Sequence, residues 1–213
     1  MDRPLLLPLA ACTQPALVGG KALGLARLLA EGFPVPPGFC VTTEAYDHAL
    51  RAPGFSPAEQ WRAALHSSGA ERQRILTHCR TIIQNYDIVG LTAQIAEQVR
   101  QLNLPLHGLW AVRSSATNED GAHASFAGVY RTRLGIPLQE IGLAVRDLWL
   151  SIWDERVLNY HATSGLSGAP PAMAVVLQPL LDARAAGVAY SIHPLTGRVT
   201  QVVINAVAGL AAA

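Results

Sequence analysis

Two short stretches carry side chains suited to holding phosphate. The first is Gly19-Gly20-Lys21. Glycines let backbone amides approach an anion, a helix that starts there presents its positive end, and the ammonium adds a full charge. It is not a Walker A loop, because the places that motif gives to its first glycine and to Ser or Thr hold Pro15 and Ala22. A helix cap with a surface lysine satisfies the same three residues, and for the tripeptide alone that plainer reading is the better one. The second stretch is Ala111-Val112-Arg113-Ser114-Ser115-Ala116-Thr117-Asn118-Glu119-Asp120. A planar cation at the end of an apolar strand, followed by short hydroxyl side chains, suits a triphosphate over which a loop closes. Arg113 paired with Glu119 or Asp120, with serines capping a turn, accounts for the same residues, and the segment alone leaves the two readings even. Ser114, Ser115 and Thr117 are not read as nucleophiles, since no base stands at a telling position. Of the seven histidines, His193 falls in a turn and is read as a packing or surface residue rather than a phosphate carrier.

The elements that must position these groups follow from periodicity. Ala22, Leu25, Ala26, Leu28 and Leu29 recur at helical spacing until Gly32, so a glycine-rich turn feeds a helix. Pro34, Pro36, Pro37 and Gly38 interrupt it, and 39–43 reads as a short extended segment before a helix over 44–51. Residues 57–102 are polar and helical in pattern, with Trp61, Leu65, Ile75, Ile82, Ile95 and Val99 as the expected buried stripe of a helical insertion. An apolar run at 109–112, a loop of small and acidic residues to Gly128 and an alternating run at 129–134 read as strand, loop, strand. From Pro137, Ile141, Val145, Leu148 and Ile152 mark an amphipathic helix. Three further strands are expected at 172–179, 187–192 and 199–207.

Composition removes several classes of function. A formal net charge of +1, with Lys and Arg scattered, offers no field or basic run for nucleic acid. Cys12, Cys40 and Cys79 have neither the even count of a disulfide framework nor zinc-ligand spacing, so a cytoplasmic, reducing setting is expected. Leu9-Ala10-Ala11-Cys12 imitates a lipoprotein cleavage site. The apolar run before it is short and holds two prolines, so it reads as a first strand or extended lead-in. No stretch approaches the ~20 apolar residues of a membrane span. With 50% hydrophobic and only 15% charged residues, against roughly 25% charged in ordinary soluble domains, much of the surface is expected to be covered.

Taken in order, Leu17-Val18-Gly19-Gly20-Lys21, Val35-Pro36-Pro37-Gly38-Phe39, Val112-Arg113-Ser114-Ser115-Ala116 with Ser125-Phe126-Ala127-Gly128, Val175-Val176-Leu177-Gln178, and Ala186-Gly187-Val188-Ala189-Tyr190 with His193-Pro194 resemble the N-terminal domain of the phosphoenolpyruvate synthase, pyruvate phosphate dikinase and rifampicin phosphotransferase family. The resemblance implies an α+β, ATP-grasp-like domain with a mixed or antiparallel sheet, flanking helices and a helical insertion. It divides into an N-terminal lobe over 1–108 and the first part of a nucleotide-clamping lobe over 109–213. It implies ATP and Mg2+ as cofactors, with Lys21 and Arg113 on the phosphates, Gly128 and Thr132 in the glycine-rich loop that closes over them, and Gln178 on the strand beside the adenine.

The family passes phosphate from ATP to a histidine on a swivelling domain, and then to pyruvate or to a drug hydroxyl. The resemblance implies a magnesium-binding acid, and a Gln and an Arg, well beyond the strand that matches 199–207. Ala208-Gly209-Leu210-Ala211-Ala212-Ala213 stands about where the family reads Gly-Leu-Gly-Glu. The metal ligands and the histidine and pyruvate domains are therefore expected outside this chain, in C-terminal domains or a separately encoded partner, and the chain alone is expected to be inactive as a dikinase. A stand-alone nucleotide-binding or regulatory module without catalysis is the alternative, and a remnant that binds nothing is a third.

Overall fold

The extended segments near 39, 109 and 173 meet at the centre of one sheet. Its strands are β1 (Leu6–Pro8), β2 (Phe39–Val41), β3 (Leu109–Ala116), β4 (Thr132–Pro137) and β5 (Met173–Pro179), in the order β1-β2-β5-β3-β4. Every pairing is antiparallel. The computed structural model describes residues 3–118, 131–163 and 170–210. These fall into two compact units, 1–179 and 180–213, and strands from both sides of residue 108 share the sheet of the first.

Central β5 is almost continuously apolar and buried along its length because both faces of the sheet are covered. One face carries α1 (Pro15–Ala30). The other carries α2 (Thr43–Ala49), α3 (Pro57–His66), α4 (Gly69–Gln84), α5 (Ile88–Gln101), α6 (Ile141–Ile152) and α7 (Glu155–Thr163). The sheet thus separates two cores. Leu17, Val18, Ala22 and Ala26 of α1 meet Cys40, Ala174 and Val176 in the smaller one. In the larger one Trp110, Val112, Val175 and Leu177 meet the helices, and all four tryptophans are buried there. Helices α3 and α5 start where chemistry allows. Ser56 accepts from the Glu59 amide ahead of Pro57, and Asp87 accepts from the Gly90 amide.

Helices α3 to α5 occupy 57–102 and line the larger core. Within α4 the buried face is Leu76, Cys79 and Ile83, whereas Ile75 and Ile82 are half-buried. In α4 the buried positions therefore lie one residue after the expected ones, while Trp61, Ile95 and Val99 are buried as expected and Leu65 is half-buried. Isoleucines at 75 and 82 share the seven-residue repeat of Leu76 and Ile83, and only contact with α6 and α3 selects between them. β3 is also longer than its apolar start suggests, since Ser114 and Ser115 pair with Val175 and Ala174 rather than lying in a loop.

Cys79 is fully buried in this core, and burial pushes its thiol up to about 12. The neutral thiol is not a nucleophile at ordinary pH. Iodoacetamide at pH 8 is expected to leave Cys79 unmodified in the folded chain and to alkylate it after denaturation, read by peptide mass spectrometry. Because the folded value lies above the unfolded one of about 8.5, the unfolded chain loses this proton first. Stability therefore falls as pH rises from about 8.5 towards 12.

The second unit pairs β6 (Ala185–Tyr190) with β7 (Val203–Ala208), Val188 opposite Asn205. In the turn between them the His193 Nδ1 accepts from the amides of Leu195 and Thr196, both at 3.3 Å. The imidazole closes a turn, in keeping with a structural reading of this residue. Among the described residues no helix is long and apolar enough to cross a membrane.

Candidate functional site

One rung of the sheet crosses all five strands: Leu7, Cys40, Val176, Arg113 and Thr132 are successive partners. Opposed residues in antiparallel strands share a face. Since Cys40 and Val176 belong to the α1 core, Arg113 and Thr132 stand on the α1 side as well. Gln178, two residues beyond Val176 and opposite Ala111, is on that face too. The fold therefore brings Arg113, Thr132 and Gln178, from three neighbouring strands, to the side of the sheet that α1 covers, and Lys21 lies on α1 itself. Gly128 lies outside the described residues.

The Gly-Gly-Lys corner is not the start of a helix but a break inside one. Pro15 to Val18 form a first turn, Gly19 has φ 70° and ψ 176°, and the helix resumes from Gly20. That combination is open essentially to glycine alone. A Cβ on Gly19 would also lie 2.0 Å from the carbonyl oxygen of Ser115, so the backbone here rests directly on β3. The Ser115 Oγ donates to the Val18 carbonyl at 2.7 Å and accepts from the Ala22 amide at 3.1 Å. Nearby, Thr43 Oγ1 donates to the Ala16 carbonyl at 3.0 Å. Side chains from other elements thus satisfy backbone groups that the break exposes. With its proton held by a carbonyl, Ser115 has no nucleophilic role.

Arg113 is half-buried, and among the described residues its guanidinium has no hydrogen bond or ion pair. It stands two residues from Ser115, about 7 Å along the strand. Glu119 and Asp120 lie outside the described residues. A cation with no counter-charge among the described residues, on the strand against which the resumed helix starts, is an arrangement that favours an anion. Gln178 is 5% exposed and its Nε2 donates to the Pro36 carbonyl at 2.8 Å, tying the proline connector to β5. Its Oε1 acceptor and the second Nε2 hydrogen are left for anything else. Gly38 lies against the same residue, since a Cβ there would be 2.7 Å from the Gln178 Cγ. The Cys12 and Cys40 thiols are both fully buried, Cys12 Sγ donating to the Pro8 carbonyl and Cys40 Sγ to the Val41 carbonyl, each at 3.4 Å, and burial pushes Cys40 well up. Among the described residues no three His, Cys, Asp or Glu side chains converge.

The contact between Gly19 and Ser115, and the hydroxyl that bridges Val18 and Ala22, are the features that sequence reading missed. Glycine at 19 was legible as a point of close approach. Nothing local says that the approaching group is a strand almost a hundred residues away.

The fold is that of an α+β domain whose antiparallel sheet carries Arg113 on the face covered by α1, a helix broken at Gly19. The chain belongs to the pyruvate phosphate dikinase, AMP/ATP-binding domain family, whose model matches residues 15–213. It is 34% identical over 212 residues to phosphoenolpyruvate synthase of Aeropyrum pernix, covering 91% of this chain and 25% of that one. It is 38% identical over 201 residues to the prodigiosin synthesizing transferase PigC of Serratia marcescens, covering 92% and 20%. It is 33% identical over 203 residues to rifampicin phosphotransferase of Bacillus cereus, covering 93% and 23%. The chain spans a quarter or less of the length of these relatives.

Proposed function

We propose that this chain is the ATP-binding portion of a phosphoenolpyruvate synthase or pyruvate phosphate dikinase-like phosphotransferase, built on an ATP-grasp-like plan. Arg113, Lys21 and the amides after Gly19 hold the phosphates. Gly128 belongs to the glycine-rich loop that closes over them, Thr132 faces them from the first position of β4, opposite Arg113, and Gln178 lies on the strand beside the base, where it offers Oε1. The observation that carries this reading is the half-buried Arg113 guanidinium, which has no counter-charge among the described residues and shares a sheet face with the glycine corner. The relatives add a second support. Their names point to different products or acceptors, yet all match this same segment at 33–38% identity. What the segment holds is then what they have in common, the phosphoryl donor, rather than what distinguishes them.

Bound ATP with Mg2+ supplies the transferable phosphoryl group and charge neutralisation. This chain's part is to bind and orient the donor, and the residues that accept phosphate are contributed from elsewhere. In a calorimetric titration with ATP and magnesium, the chain is expected to bind saturably, and Arg113→Ala to weaken binding by about 30- to 100-fold, the scale of one or two charge-assisted hydrogen bonds. Binding that is equally tight in Arg113→Ala would remove the phosphate role. No binding by the folded wild-type chain would mean that the remaining three quarters of the relatives' length is needed to build the site. Phosphoenolpyruvate formation from ATP and pyruvate is expected to stay at the blank.

A further inference from the structure

We propose that Ser115 is the positioning residue of the phosphate corner: its hydroxyl, delivered from β3, caps the resumed half of α1 in place of the side chain that Gly19 lacks, and so sets anion affinity without touching the anion. The proposal rests on the nucleotide reading above and adds to it a residue that no binding contact would reveal.

A helix start leaves its first amides without intrahelical partners, and an N-cap side chain ordinarily accepts from the second or third of them. Counting from Gly19 as the cap position, Gly20, Lys21 and Ala22 are the first three helical residues, and the Ala22 amide is the one that Ser115 Oγ receives at 3.1 Å. The cap residue itself has nothing to offer. It is glycine, and it has to be, because a Cβ would run into the Ser115 backbone and its φ/ψ excludes other residues. The two requirements are one. The backbone approach that brings the Ser115 hydroxyl within reach of Ala22 is the approach that forbids a side chain at 19.

The same hydroxyl donates to the Val18 carbonyl, so one side chain ties together the last residue before the break and the third residue after it. Ser115 is fully buried, away from competing water. Arg113 projects from the same face of the same strand two residues earlier. β3 therefore sets the cation by a covalent route and the helix start by a hydrogen-bonded one, with both referred to a single strand. Removing the hydroxyl leaves Arg113 in place and frees the helix start from it. Phosphate then meets amides that must be reordered on binding, a cost preorganisation avoids.

The test uses the full 213-residue chain. Amide exchange resolved by residue is expected to show the Ala22 amide protected in the wild type and to exchange at least tenfold faster in Ser115→Ala. ATP with magnesium is expected to bind Ser115→Ala about tenfold more weakly, on the scale of one hydrogen bond. Ser115→Thr, which keeps the hydroxyl in a strand-favouring residue, is expected to restore both readings to within about threefold. An Ala22 amide that exchanges freely in the wild type overturns the cap without any variant being needed. Faster exchange with unchanged ATP affinity reduces Ser115 to a structural role and overturns the positioning claim. If the wild type binds no ATP, the nucleotide reading and the positioning claim built on it fail together, while the exchange data still decide the cap. If Ser115→Ala does not fold, the wild-type protection and the Thr variant's ATP affinity decide the matter in its place.

Discussion

Gly19→Ala is expected to lower stability by roughly 2–6 kcal/mol and, with the corner's geometry gone, to abolish the proposed ATP binding. Two costs add. A φ of 70° with ψ of 176° is a region closed to alanine, which costs about 1–3 kcal/mol. The new methyl would stand 2.0 Å from the Ser115 carbonyl oxygen and 2.5 Å from its carbon. Backbone cannot swing aside as a side-chain tip can, so strand and helix must separate, and such overpacking costs about 1–3 kcal/mol more. Gly32→Ala is the control. Gly32 also has a positive φ, 79°, but nothing lies within 4 Å of the added carbon, so about 1–2 kcal/mol is expected from backbone strain alone. Denaturant titration followed by circular dichroism separates the two. Equal losses at 19 and 32 would show that the contact with β3 carries no weight.

Trp149→Ala is expected to cost about 4–5 kcal/mol, close to the whole stability of a marginal domain. Trp149 is fully buried in α6, with the Tyr46 ring 6.0 Å and the Tyr86 ring 5.8 Å from its own. Its Nε1 donates to the Met173 carbonyl at 3.1 Å, at the first residue of β5. Truncation removes the packing and orphans a buried carbonyl, so a cavity term and an unsatisfied acceptor add. Trp149→Phe keeps an aromatic ring but not the donor, and about 1–3 kcal/mol is expected from it. The same denaturant midpoints report both. A Phe variant as unstable as the Ala variant would assign the whole effect to the hydrogen bond rather than to volume.

Much of the architecture was readable because it depends on local pattern. The amphipathic repeat from Ile141 to Ile152 predicts α6, and that face is buried as expected. The apolar run before Pro179 predicts β5. The proline cluster at 34–37 forecasts the break between α1 and β2, for proline can neither continue a helix nor donate to a ladder. Where two solutions shared one period the pattern was silent, as in α4, where Leu76 and Ile83 are buried in preference to Ile75 and Ile82. It was misleading at β3. Small hydroxyl residues signal turns locally, yet Ser114 and Ser115 are held in the ladder by β5. Tertiary pairing outweighed propensity there.

Residue types and order along the chain were enough to name the family, and the resemblance singled out Lys21, Arg113, Gly128, Thr132 and Gln178 as candidates for the site. What they share in space was not in the order. That Arg113 and Thr132 are direct partners on one rung, that Gln178 lends its amide nitrogen to Pro36, and that Ser115 fastens a helix 93 residues earlier in the chain are facts of strand register and helix placement. Contacts of that range arise only when apolar faces on both sides of a sheet are buried together, and burial is a property of the assembled fold, not of any window of sequence.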